Sequence, residues 1–339
     1  MLPDLLPELD QLEGLIEKAS PTLRSEVLTT VNYHDISLPI HACFLGSEAK
    51  DAPVLVFTGG VHGVERIGSQ VVLAFMETLV QRLQWDDSLI SGLHNLRLLF
   101  IPIVNPVGVI LQTRANGASV DLMRNAPVEA ENRVPLFVGG HRLTGMLPWY
   151  RGKKKSGMEP ESTALCEAIN RQLEHSPFTL SLDVHSGYGF FDRLWFPLAS
   201  SYKPIEQLPE IYALYDLLET TYPNVNYVFE PQSKQYLAHG DLWDYLYLQH
   251  SNKDQIFLPL TLEMGSWNWV KKNPMQLLSA VGLFHPVKPH RTQRVLRRHT
   301  ILLEFLVRAA RAYTQWIPAQ GVDNERREQL RQIALKLWY

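Results

Sequence analysis

The chain has 339 residues, 45% hydrophobic and 20% charged, which is enough apolar material for one large domain or two ordinary ones and excludes global disorder. Its 32 basic and 35 acidic residues give a formal charge of −3, so there is no general electrostatic reason to expect nucleic acid or an anionic membrane as partner. Two cysteines, Cys43 and Cys166, allow one disulfide at most and lack metal-knuckle spacing; buried free thiols in a reducing compartment are expected.

Residues 5–18 alternate leucine, isoleucine and acids at helical spacing and predict a short amphipathic helix. The first twenty residues carry acids at positions 4, 8, 10 and 13 and no basic segment before an apolar core, unlike a signal peptide. No apolar run approaches the ~18 residues that span a bilayer. A cytoplasmic chain without a membrane partner is therefore expected.

Residues 23–46 read as two strands around a turn at His34-Asp35. Four apolar runs follow, at 53–60, 96–105, 178–187 and 256–265, each bounded by turn residues. That is the pattern of strands buried on both faces. Helical spacing separates them at 65–83 and 160–175, with further helices at 206–221, 241–249 and 295–316. Strands alternating with helices predict an α/β sandwich around a largely parallel central sheet. The stretch 126–158 is richest in loop residues and reads as an insertion; its Lys153-Lys154-Lys155 run reads as a solvated loop. Residues 1–317 read as a single domain and 318–339 as a C-terminal helical tail. Beyond Pro318, residues 322–337 predict a separate charged helix, which could pack on its own domain or on a second subunit and so support an oligomer.

Four polar groupings fall at the C-terminal ends of the buried runs, the edge where open α/β sheets form their sites. His62 and Glu65, in HGVE after Gly59 and Gly60, stand three apart at a strand-to-helix turn and can address one ion. Imidazole and carboxylate are zinc-type ligands, and catalytic zinc takes about three protein groups plus water. His185, in DVHSG, supplies the third group from another strand. Glu263, in TLEMG, is a carboxylate ending an apolar strand, costly to bury unless paired or used; facing the metal water, it could take and return a proton. The segment 105–127 carries Arg114, Asp121, Arg124 and Asn125, and arginines beside zinc suit an oxyanion or a substrate carboxylate. His239, His285, His290 and His299 lack ligand spacing and read as surface or capping residues; Trp267 and Trp269 read as wall packing.

In order, HxxE, NP-x-G, a later TR, D-x-x-RN, HS after a strand and a late glutamate resemble the zinc carboxypeptidases of the carboxypeptidase A type, over roughly residues 50–316. The resemblance implies an eight-stranded mixed sheet flanked by helices on both faces, in three layers, with one Zn2+ at its edge. It makes His62, Glu65 and His185 the ligands, Glu263 the general base and Arg114 the oxyanion-stabilising arginine. Asp121 resembles the acid that orients the first histidine, and Arg124 the arginine that binds a terminal carboxylate. Residues 236–240, YLAHG, resemble the mobile loop whose tyrosine closes over substrate, which points to Tyr236. One position departs: where the family commonly has asparagine in D-x-N-R-N, this chain has Met123. A hydrogen bond to a charged terminus is thereby lost, worth about 1.5–3 kcal/mol, unless Asn125 or another group compensates.

The activity implied is amide hydrolysis at the C-terminal end of a peptide or peptide-like substrate. N-acyl-amino-acid deacylases of the desuccinylase and aspartoacylase type share HxxE and D-x-x-R elements and stand as the alternative. A binding protein on the same scaffold is the third reading.

Overall fold

The structure of the protein, a computed structural model, describes residues 5–251, 255–279, 281–318 and 324–339. Helix α1 (Pro7–Ala19) precedes the hairpin β1 (Arg24–Tyr33) and β2 (Ile36–Gly46), then β3 (Val54–Gly59), α2 (Arg66–Arg82), α3 (Asp87–Leu93), β4 (Arg97–Ile101) and α4 (Pro106–Leu111). The second half runs α5 (Pro160–Leu173), β5 (Phe178–Ser186), β6 (Arg193–Phe196), α6 (Leu208–Thr221), β7 (Val228–Pro231), α7 (Leu242–His250) and β8 (Ile256–Met264). It ends with α8 (Trp267–Lys272), α9 (Pro289–Arg311), α10 (Tyr313–Trp316) and α11 (Asn324–Trp338).

The eight strands form one mixed sheet in the order β1-β2-β4-β3-β5-β8-β6-β7. Strands β4, β3, β5 and β8 run parallel, β2 joins β4 antiparallel, and β6 joins β8 antiparallel. Every residue of β3, β5 and β8 is buried, as their continuous apolar runs require of strands covered on both faces. Alternate side chains feed two cores. Leu55 and Phe57 pack with α1, α2 and α9, while Val54 and Val56 pack with α5 and α7. These are the three layers expected from the pattern.

Strands β6 and β7 have no counterpart in the predicted elements. Each is four residues long and carries a charged residue, Arg193 or Glu230, so neither makes a distinct apolar run. Helix α9 begins at Pro289 rather than at 295, because its first turns are basic and show little apolar periodicity. Residues 126–158 hold one isolated bridge, His141 to Tyr150, and are pinned by buried Arg151, which donates to Arg124 O and Val128 O at 3.0 Å each. Lys153–Lys155 are exposed, and both cysteines are buried and free.

Helix α11 lays Ala334 and Trp338 on its own chain. The Trp338 indole donates to Phe229 O at 2.7 Å and meets the ring of Phe196 edge-on, while Arg327 pairs with buried Glu210 at 2.9 Å. Residues 322 and 323 of the predicted tail helix lie outside the described residues. Among the described residues no helix is long and apolar enough to cross a membrane.

Candidate metal centre

From β3 the chain continues through α2 to β4 on one side, and later returns as β5 on the other side. Open α/β sheets form their sites at the C-terminal strand edge where connections diverge in this way, which here is the edge of β3 and β5. His62 follows β3, His185 is the penultimate residue of β5, and Glu263 is its register partner on β8. Three neighbouring parallel strands thus carry to one edge groups separated by up to 201 positions in sequence (263 − 62).

The turn bearing HGVE depends on glycine at two points. Gly60 has φ +67°, and a Cβ on it would sit 2.4 Å from Ser69 Oγ. Gly63 lies on the backbone of Gly108, where a Cβ would come within 1.9 Å of the carbonyl carbon. The NP-x-G element holds the other side of that contact. Asn105 donates to Val61 O at 3.1 Å and accepts from Gly108 N at 2.8 Å, fixing α4 against the ligand loop.

His62 Nδ1 lies 3.0 Å from Glu65 Oε1, and His185 Nδ1 lies 2.9 Å from Glu65 Oε2. The two imidazole centroids are 5.0 Å apart, and one donor atom from each of the three residues falls within 4.8 Å of the others. All three are at most 3% exposed. Bonds of about 2 Å from each group can therefore meet at one ion.

Behind the ligands stand two further carboxylates. Asp121 Oδ1 lies 3.0 Å from His62 Nε2, with Arg114 Nε donating to Asp121 Oδ2 at 2.7 Å. Asp183 Oδ2 lies 2.7 Å from His185 Nε2 and also accepts from Trp243 Nε1 at 2.9 Å, while Thr58 donates to Oδ1 at 2.8 Å. Each imidazole is thus braced at Nε2 and directed toward the centre through Nδ1. Asp183 was not singled out from the sequence, although it sits two residues before His185 and strand alternation puts both on one face.

The buried charge favours a cation. Glu65, Asp121, Asp183 and Glu263 bring four carboxylates together, and Arg114 is the guanidinium that pairs with two of them, at 2.7 Å to Asp121 and 3.4 Å to Glu65. Burial pushes the Glu65 carboxyl up, but His62 and His185 outweigh it and hold it well below the usual range. Asp121 is likewise held low: Arg114 and then His62 overcome its burial. Glu263 goes the other way, pushed up to about 8 by burial and by the charge of Glu65. A divalent ion among two imidazoles and a carboxylate would compensate this surplus, and the donor set suits zinc.

Glu263 is 8% exposed, and Tyr188 N donates to its Oε1 at 3.0 Å. Tyr188 is a second residue the sequence did not reveal. Its orienting group is a backbone amide, which no residue type announces. The ring of Tyr188 lies 6.0 Å from those of Tyr236 and Trp267, so an aromatic wall borders the centre, with the Trp267 indole donating to Gly187 O at 3.0 Å.

Arg124 is buried and donates to Val138 O at 3.3 Å, to Met123 O at 3.1 Å and to the Tyr236 hydroxyl at 3.4 Å, with Asp241 4.0 Å away. Gly240, at φ +73°, presses on its backbone; a Cβ there would lie 1.9 Å from Arg124 O. Met123 is packed in the core beside α5 and α7, so its side chain adds nothing polar beside Arg124. Asn125, the residue expected to compensate at the substrate, is anchored to backbone at both ends of its carboxamide, donating to Arg151 O at 3.1 Å and accepting from Glu159 N at 2.6 Å. His299, expected at the surface or in a cap, is 1% exposed and bonded to the Tyr227 hydroxyl at 2.9 Å.

Asp183→Asn tests the bracing of His185. Zinc affinity is expected to fall by about 10–100-fold, measured by competition with a chromogenic chelator. An unchanged affinity would mean that Asp183 leaves the imidazole's orientation to other contacts.

A family model described as zinc carboxypeptidase matches residues 28–268. Among solved structures, carboxypeptidase A from Helicoverpa armigera superposes with a TM-score of 0.68 at 16% identity, covering 90% of this chain and 72% of that one. Bovine thrombin-activatable fibrinolysis inhibitor, in complex with tick carboxypeptidase inhibitor, gives 0.59 at 17% identity, covering 86% and 97%. At these identities the likeness establishes the shared fold.

Proposed function

The chain belongs to the zinc carboxypeptidase family, and on that premise we propose that it hydrolyses the amide bond at the C-terminal end of a peptide or peptide-like substrate. The observation that carries this reading is the register pairing of Glu263 with His185, which sets a buried carboxylate of raised pKa beside the proposed ligands.

His62, Glu65 and His185 would hold the zinc, which when bound supplies a Lewis acid for the scissile carbonyl and a lowered pKa for water. Glu263 takes a proton from the attacking water and returns it to the departing amine. The backbone amide of Tyr188 keeps its carboxylate oriented between the two transfers. Arg114, fixed by Asp121, offers its remaining guanidinium N–H groups to the oxyanion. Arg124 receives the terminal carboxylate, with Tyr236 closing beside it; the two already share a contact of 3.4 Å. A cytoplasmic location remains part of the proposal.

The second reading, an N-acyl-amino-acid deacylase, draws support from Met123. With methionine buried there, Arg124 meets a carboxylate without an asparagine beside it. A panel of peptides differing at the C-terminal residue, their C-terminal amides and a set of N-acyl amino acids, assayed on zinc-loaded protein, separates the two. Cleavage of free-carboxylate peptides with at least tenfold loss on amidation supports the peptidase. Turnover confined to N-acyl amino acids overturns it in favour of the deacylase.

A further inference from the structure

Beside the metal centre a second cleft, of about 240 Å³, opens between the loop at Phe190–Asp192, α8 and the N-terminal half of α9. Its lining contains Lys272, Arg291, Arg294 and Arg298 against a single acid, Asp192. The three arginines stand at i, i+3 and i+7 on α9, so they share one face of the helix.

This concentration of like charge is unfavourable to the helix that carries it. Residues 289–298 of α9 hold four arginines and no carboxylate, and cations near a helix N-terminus oppose its dipole. Asp192 is already committed: it accepts from Gly265 N at 2.9 Å and pairs with Arg298 at 2.9 Å. Arg291 spends one N–H on Trp269 O at 2.9 Å. Lys272 and Arg294 have no polar partner among the described residues, and both are exposed at the cleft. The lining thus carries a net charge of +3 (four cations less one carboxylate), in a space that accommodates a small molecule.

We infer that this cleft binds a small multivalent anion of the phosphate or dicarboxylate class, gripped by Lys272, Arg291 and Arg294. Doubly charged oxyanions meet several guanidinium and ammonium donors at once, which a monovalent ion does not. The cleft is separate from the metal ligands. It nevertheless shares its walls with the base: Gly265 follows Glu263 by two residues, and Phe190 follows Tyr188 by two.

The test is calorimetric titration and thermal melting of the zinc-loaded protein with sodium phosphate and with glutarate, against sodium chloride at equal ionic strength. Saturating phosphate or glutarate is expected to raise Tm by roughly 2–4 °C over chloride. The double variant Lys272→Gln/Arg294→Gln should bind at least tenfold more weakly, while melting no lower than the wild type without anion, since it removes only repulsion. Glu263→Gln, which changes no group lining the cleft and can keep the bond from Tyr188 N, should bind the anion unchanged. Phosphate and glutarate acting no differently from chloride, binding retained in the double variant, or binding lost in Glu263→Gln would each overturn the inference.

Discussion

Glu263→Gln is expected to retain zinc and to lose kcat by about 10²–10⁴-fold, the span that a positioned proton-transfer group contributes. Glutamine keeps the shape and can still accept from Tyr188 N through its carbonyl, so the loop at 187–192 need not move. What it cannot do is take a proton. The pH profile adds a second readout. Burial and the Glu65 charge push Glu263 up to about 8 against the opposing charges of His185 and Arg114, and a divalent ion draws such a value down. The base works ionised, so kcat/KM in the wild type should rise with pH through a value below 8 and level off. The variant should lose that limb. Turnover within threefold of wild type, with zinc bound, would remove Glu263 from the mechanism.

Arg114→Met is expected to lower kcat/KM by about 10²–10³-fold, mostly through kcat, because an oxyanion donor acts in the transition state rather than on the bound substrate. The side chain lies over the ring of Trp149 at 5.8 Å and bonds to Asp121, so methionine preserves packing while removing every donor. Asp121 would then brace His62 without its own partner, and a modest loss of zinc affinity should accompany the kinetic effect. Assays at saturating zinc separate the two. A raised KM with unchanged kcat would reassign Arg114 to ground-state binding.

The sequence makes the centre legible because each candidate residue ends an apolar run or lies in the turn just after one. A polar side chain there has few physical explanations, and strands β3, β5 and β8 have side-by-side places in the sheet order. Helix limits come within about two residues wherever apolar periodicity is clean, as at 66–82, and fail by six at α9, where residues 289–294 hold no apolar side chain but Pro289. Three kinds of information stay hidden. Short strands with charged residues, β6 and β7, make no run to detect. The bond from Tyr188 N to Glu263 uses a group that every residue but proline possesses. Asn125 shows the third: its type suits a substrate contact equally well, and only the folded loop reveals that Arg151 and Glu159 occupy its carboxamide. The cleft beside α9 belongs with these, since Lys272 and Asp192 meet the α9 arginines only in the folded chain.

The account stands on three side chains meeting at one ion. Zinc content should be determined by mass spectrometry on protein purified without chelators, for the wild type and for His185→Ala. The expected result is close to one zinc per chain in the wild type, and loss of most of it in the variant. Equal metal content in the two proteins, or none in the wild type after incubation with zinc, would contradict the centre assigned to His62, Glu65 and His185.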